Sequence, residues 1–136
     1  MTSLSDELVK ITEHGAAAVL ATVVEVDGSA NVEAGAKCLV RDGKVVTESL
    51  GDKRVVEAIV AESAARLRDE KSQLVPLDIP EIGAKLEVFF DVMPAPPRLI
   101  VVGAGHIAVP LVKMAKVVDF YVTVIDDRLL YANQER

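Results

Sequence analysis

The apolar positions of the chain recur with two periods, and each change of period marks a new element. Leu4, Leu8 and Ile11 stand four and three apart, the stripe of one helical face, and predict a first helix over 5–14. Ser3 or Ser5 can cap it, Asp6 and Glu7 suit the positive end of its dipole, and His14 suits the negative end. Gly15 supplies the stop. Residues 16–26 are apolar at nearly every position, which predicts a central strand covered on both faces. Asp27-Gly28-Ser29 is turn chemistry. Residues 36–40 and 45–48 read as two short strands joined by a tight hairpin with Asp42-Gly43 at its tip. Over 52–71 the helical period returns. Val55, Val56, Ile59, Val60, Ala64 and Leu67 lie on one side, and Lys53, Arg54, Glu57, Glu62, Arg66 and Asp69 on the other. A short strand over 74–78 precedes a strictly alternating one over 85–92, with Leu86, Val88, Phe90 and Val92 opposed to Glu87 and Asp91.

Pro94, Pro96 and Pro97 end this pattern. Prolines so closely spaced cannot enter a sheet interior and form a stiff, extended connector. They divide the chain into an N-terminal domain over 1–93, a linker over 94–97 and a second segment over 98–136. That segment opens with an apolar strand that runs into Gly103-Ala104-Gly105-His106-Ile107-Ala108. A helical stretch follows to about Val117, then a second strand over 121–125 ending in Asp126-Asp127. A Gly-x-Gly-x-x-Ala turn between strand and helix, followed by a second strand with a terminal acid, is the dinucleotide fingerprint in its proper context. Gly103 permits the tight turn, Gly105 lets backbone approach a pyrophosphate, and Ala108 fills the third small position. The helix N-terminus offers unpaired N–H groups to a phosphate. Asp126 stands where a carboxylate receives the ribose hydroxyls, His106 faces the ligand side of the turn, and Arg128 is placed to bind a phosphate or to pair with Asp127. Pro110 falls early in the predicted helix; past the first turn it would remove a hydrogen bond and force a kink.

Composition acts mainly by exclusion. The 136 residues carry 15 Lys and Arg against 21 Asp and Glu, a net charge of −6, which disfavours nucleic acid as a partner. No apolar run approaches the roughly 20 residues that span a bilayer, so no membrane association is expected. The N-terminus lacks the basic start and apolar run of a secretory signal, so a cytoplasmic setting is expected. Cys38 is the sole cysteine, which excludes an internal disulfide and a cysteine-type zinc site. Flanked by Ala36 and Val40 on its strand face, it reads as a small buried residue rather than a ligand. Two histidines and one cysteine leave no legible nucleophilic set or metal centre, so neither catalytic nor metal-binding residues are expected.

The arrangement resembles the XdhC/CoxI family, accessory proteins of xanthine dehydrogenase and carbon monoxide dehydrogenase. The segments 97–108 and 122–128, followed by 132–136, resemble the start of that family's Rossmann domain. Ala21-Thr22-Val23-Val24, Gly28-Ser29, Gly35-Ala36-Lys37 and Ser49-Leu50-Gly51 match its N-terminal domain in order and spacing. The resemblance implies an α/β protein: an α+β N-terminal domain followed by a partial Rossmann-like β-α-β unit. It further implies a maturation chaperone more than an enzyme. Such a chaperone binds molybdenum cofactor, assists its sulfuration and insertion, and works with a molybdenum hydroxylase apo-enzyme. The sequence departs from the family pattern after Gly-Ser, where Ala30, Asn31 and Val32 stand in place of Ser-Pro-Arg. It departs again after Ser-Leu-Gly, where Asp52, Lys53 and Arg54 replace glycines and a cysteine.

On this reading the cofactor-binding residues are Gly103, Gly105, His106, Ala108, Asp126 and Arg128, and the bound group is molybdenum cofactor or a nucleotide such as NAD(P). Two other readings fit the same residues: a small NAD(P)-binding oxidoreductase subunit, and a non-catalytic oligomeric module with a decayed nucleotide site. Two parallel strands alone leave open edges and an uncovered face. Val101, Val102, Val122, Val124 and Ile125 are therefore expected to be exposed, and the sheet to be completed in a homo-oligomer or by a partner chain.

Overall fold

Ser3 opens the first element by a reciprocal pair of bonds. Its Oγ accepts the Asp6 N–H at 3.2 Å while the Asp6 carboxylate accepts the Ser3 N–H at 3.0 Å, the capping box that satisfies two orphan donors. Helix α1 (Leu4–His14) follows and stops at Gly15. The computed structural model describes residues 2–132, and the chain divides into two compact units between Ala95 and Pro96.

The first unit continues with β1 (Ala18–Gly28), β2 (Lys37–Arg41), β3 (Lys44–Glu48), α2 (Lys53–Asp69), β4 (Gln73–Ile79), a single 3-10 turn (Pro80–Ile82) and β5 (Ala84–Met93). The five strands form one antiparallel sheet in the order β3-β2-β1-β5-β4. Strand β1 is central, as its two-sided hydrophobicity requires. It begins two residues later than the pattern suggests, because Ala16 still donates its N–H to Ile11 at the end of α1. It also runs on through Asp27 and Gly28, which pair with Lys85 and Ala84 instead of turning. Asp42 and Gly43 both have positive φ, 52° and 71°, as a two-residue hairpin loop demands. Pro76 lies on β4, an edge strand where a missing donor is tolerated.

The strict alternation of β5 is realised in full: Ala84, Leu86, Val88, Phe90 and Val92 are buried, and the residues between them are exposed. Of these, Leu86, Val88, Phe90 and Val92 join Val19, Ala21, Val23, Cys38 and Val40 beneath Val55 and Ile59 of α2. On the other sheet face Ile11 of α1 packs with Ala18 and Leu39. Cys38 is fully buried, and loss of solvent, with a smaller contribution from Glu48, pushes its thiol up to about 11. A serine there would bury a hydroxyl without a matched partner. Cys38→Ser is expected to cost about 1–3 kcal/mol in thermal or denaturant unfolding while changing any cofactor affinity by no more than a few-fold. Loss of all bound molybdenum from a folded Cys38→Ser protein would make Cys38 a ligand.

The second unit is β6 (Arg98–Val102), α3 (Ala108–Val117) and β7 (Tyr121–Ile125), with the two strands parallel and Leu99 opposite Val122. Pro110 does not interrupt α3. It is the third helical residue, within the first turn, where its missing N–H has no intrahelical acceptor to lose. The exposed set also differs from the expectation. Val101, Val122 and Val124 are half-buried, because with period two they share a face with Leu99 on the side where α3 packs. Val102 (81% exposed) and Ile125 (52%) are on the open face, joined there by Ile100 and Tyr121. Among the described residues no helix is long and apolar enough to cross a membrane.

Candidate functional site

The turn after β6 is shaped by Gly103. Its φ of 102° is a conformation that side-chain-bearing residues rarely adopt, and its N–H donates to the Ile125 carbonyl at 2.7 Å, tying the turn to the end of β7. Ala104 and Ala108 are buried beneath it, so the third small position packs helix against strand as the fingerprint requires. A Cβ on Gly105 would have no atom within 4 Å, which leaves open space in front of the backbone. The first intrahelical donors are Ala108, to Gly105, and Leu111, to Ile107. The N–H groups of Gly105, His106 and Ile107 therefore have no protein acceptor among the described residues, and N–H groups so placed at a helix N-terminus can receive an anionic oxygen. His106 is exposed on this turn.

Asp126 and Arg128 come together with the turn, in a way the sequence reading did not foresee. The Asp126 carboxylate accepts the Ala104 N–H at 2.7 Å. It also accepts the Arg128 N–H at 2.8 Å and the guanidinium through Nε at 2.9 Å and Nη2 at 2.8 Å. The guanidinium beside it, then the two backbone donors, hold its carboxyl well below the usual carboxylate range. Arg128 thus pairs with Asp126 rather than with Asp127, and its guanidinium lies over the Tyr131 ring at 4.2 Å. The signal was available: an Asp two residues before an Arg forms an Asx turn through its own backbone, which brings the two side chains to the same side. The acid at the end of the second strand acts as a latch between strand and turn.

An open groove of about 770 Å³ runs beside the turn, between α3 and β7. Val109, Val112, Val122 and Val124 form its apolar wall, with Lys113 and Lys116 on its rim.

In the first unit the matching segments are satisfied internally. The Glu48 carboxylate accepts the N–H groups of Leu50 at 2.5 Å and Gly51 at 3.2 Å, so the chain's own anion fills that backbone cradle. Arg54 lies in the first turn of α2 and donates through Nη1 to the Glu81 carbonyl at 3.3 Å. Val32, one of the departures from the family pattern, is buried in the core. Lys37 donates through Nζ to Thr22 Oγ1 at 3.0 Å. Among the described residues no cluster of three or more His, Cys, Asp or Glu side chains could hold a metal ion.

The model of the XdhC and CoxI family matches residues 11–78, half of the chain. The chain belongs to that family. The model of the XdhC Rossmann domain matches residues 99–136, a span that holds the glycine turn, Asp126 and Arg128; of the resembling segment 132–136, residues 133–136 lie outside the described ones. The first match runs from the last turn of α1 into β4, so the two together bracket the proline linker. Among solved structures, one described as a xanthine dehydrogenase from Bacillus halodurans is similar at 15% identity and a TM-score of 0.47. The similarity covers 93% of this chain and 64% of that one, so this chain spans less than two thirds of that relative's length. No curated protein matches the chain.

Proposed function

We propose that this chain is an accessory protein for a molybdenum hydroxylase of the xanthine dehydrogenase type, working in the cytoplasm, and that its Rossmann unit holds a phosphate-bearing ligand at Gly103, Gly105, His106 and Ala108. Molybdenum cofactor is the cargo that such a protein passes to the apo-enzyme, and a nucleotide such as NAD(P) is the second ligand the same turn would take. The observation that carries this reading is the run of three unengaged N–H groups at Gly105–Ile107 in a chain of the XdhC and CoxI family. Binding would use backbone donors and would need no catalytic side chain. The chain's one thiol is buried, so sulfuration would be supported by holding the cofactor while a separate donor delivers sulfur.

A tagged copy purified from its native extract tests the reading. It is expected to carry molybdopterin and to bring down a hydroxylase subunit; absence of both would overturn it. Self-association belongs to the same proposal. Ile100, Val102, Tyr121 and Ile125 place apolar side chains on an open face, a surface that soluble proteins normally cover. Light scattering at micromolar concentration is expected to give a dimer or larger even oligomer. A monomer with slowly exchanging amides in 99–102 would show that one chain protects its own sheet.

A further inference from the structure

The end of β7 is where a dinucleotide fold reads the ribose, and a diol is read by a carboxylate with lone pairs to spare. Asp126 has none to spare. Its side chain is 2% exposed, and its two oxygens accept from Ala104 N–H, Arg128 N–H, Arg128 Nε and Arg128 Nη2. Four donors saturate the roughly four lone-pair sites of a carboxylate. A diol could reach it only by displacing Arg128 or by releasing the glycine turn.

Arg128 has the opposite balance. A guanidinium carries five N–H donors. Asp126 takes one from Nε and one from Nη2, so about three remain, with no acceptor among the described residues. The side chain is 55% exposed. Its orientation is fixed from two sides, by the paired bonds to Asp126 and by the Tyr131 ring beneath it. A ligand entering past the turn therefore meets the free edge of a positioned cation where other folds of this type present an anion.

We propose that this subsite selects a phosphate on the ribose over a free diol, with Arg128 as the contacting residue and Asp126 as the residue that positions it. The proposal deepens the ligand reading above and rests on nucleotide binding by the Rossmann unit. A planar fork of donors matches phosphate oxygens bidentately. Among the described residues the exposed Asp127 is the adjacent carboxylate that could instead take a diol, and it enters the test for that reason.

The probes are adenosine 2′,5′-bisphosphate and adenosine 5′-monophosphate, titrated calorimetrically into the full chain. The bisphosphate is expected to bind about 10- to 100-fold more tightly, the range of a charge-assisted contact. Arg128→Ala is expected to bring the ratio close to one, and Arg128→Lys, which keeps charge without the fork, to retain part of it. Asp126→Asn retains an acceptor for the turn but not the charge that holds Arg128, and it is expected to lower the ratio of bisphosphate to 5′-monophosphate affinity. Arg128→Lys and Asp126→Asn carry the test even where Arg128→Ala weakens the latch enough to unfold the unit. Equal affinities in the wild type, or a 5′-monophosphate preference abolished by Asp127→Asn, would overturn the inference and leave nucleotide binding standing. Failure of both probes to bind would overturn nucleotide binding and this inference with it.

Discussion

Phe90→Ala is expected to remove about 3–5 kcal/mol from the stability of the first unit. Phe90 is fully buried at the centre of the largest core, on β5. It sits opposite Ala21 on one neighbouring strand and Gln73 on the other. The small Ala21 cannot expand into the space a lost ring would leave, and the sheet backbone holds the strands at fixed spacing, so the cavity persists. For a domain of under about 100 residues each kcal/mol moves the melting temperature by roughly 4–8 °C. Thermal unfolding followed by far-ultraviolet circular dichroism measures the drop. Hydrogen exchange in 98–125 measured alongside is expected to stay unchanged, since the Rossmann unit has its own contacts. A loss below about 1 kcal/mol would mean that α2 collapses onto the sheet and refills the site.

Gly105→Val is expected to weaken binding of adenosine 5′-monophosphate or a larger nucleotide by about a hundredfold or more, near 2.7 kcal/mol, with little change in stability. The added Cβ meets no protein atom within 4 Å, so the fold has no reason to resist it. The space it fills is the one a phosphate needs to reach the N–H groups of Gly105, His106 and Ile107. Gly103 makes the contrast. A Cβ there also meets open space, but its φ of 102° penalises any side chain, so Gly103→Ala is a stability change first. Calorimetric titration of the Gly105→Val protein decides: affinity equal to wild type would place the ligand elsewhere.

The resemblance read from the Gly-Ala-Gly-His and Asp-Asp-Arg phrases is confirmed by the family matches, as is the α/β class. Elements were legible where a single periodicity ran uninterrupted. The stripe Leu4, Leu8 and Ile11, the alternation from Leu86 to Val92, and the Asp42-Gly43 hairpin each have one physical reading, and each forms. Boundaries were less legible. Whether Ala16 closes a helix or opens a strand depends on a bond to Ile11, and whether Gly28 turns or pairs depends on Ala84, which lies far away in sequence. Pro110 was ambiguous for a similar reason: a proline breaks or suits a helix according to where the first turn begins, and Ile107, not a polar cap residue, marks that start.

Sequence by itself determined the glycine turn after β6, because the φ of 102° at Gly103 is a local backbone requirement that side-chain-bearing residues rarely meet. It equally pointed to the buried setting of Cys38 through the company of Ala36 and Val40. Tertiary structure alone decided what the chemistry-bearing side chains do. Asp126 has the position of a ribose acceptor in one dimension, but in three its lone pairs are taken by Ala104 and Arg128. Glu48, at the end of β3, fills the backbone cradle at Leu50 and Gly51. The reason is common to both: a carboxylate binds whichever donors come within about 3 Å, and those donors are brought there by strand pairing and turn geometry rather than by their place in the chain.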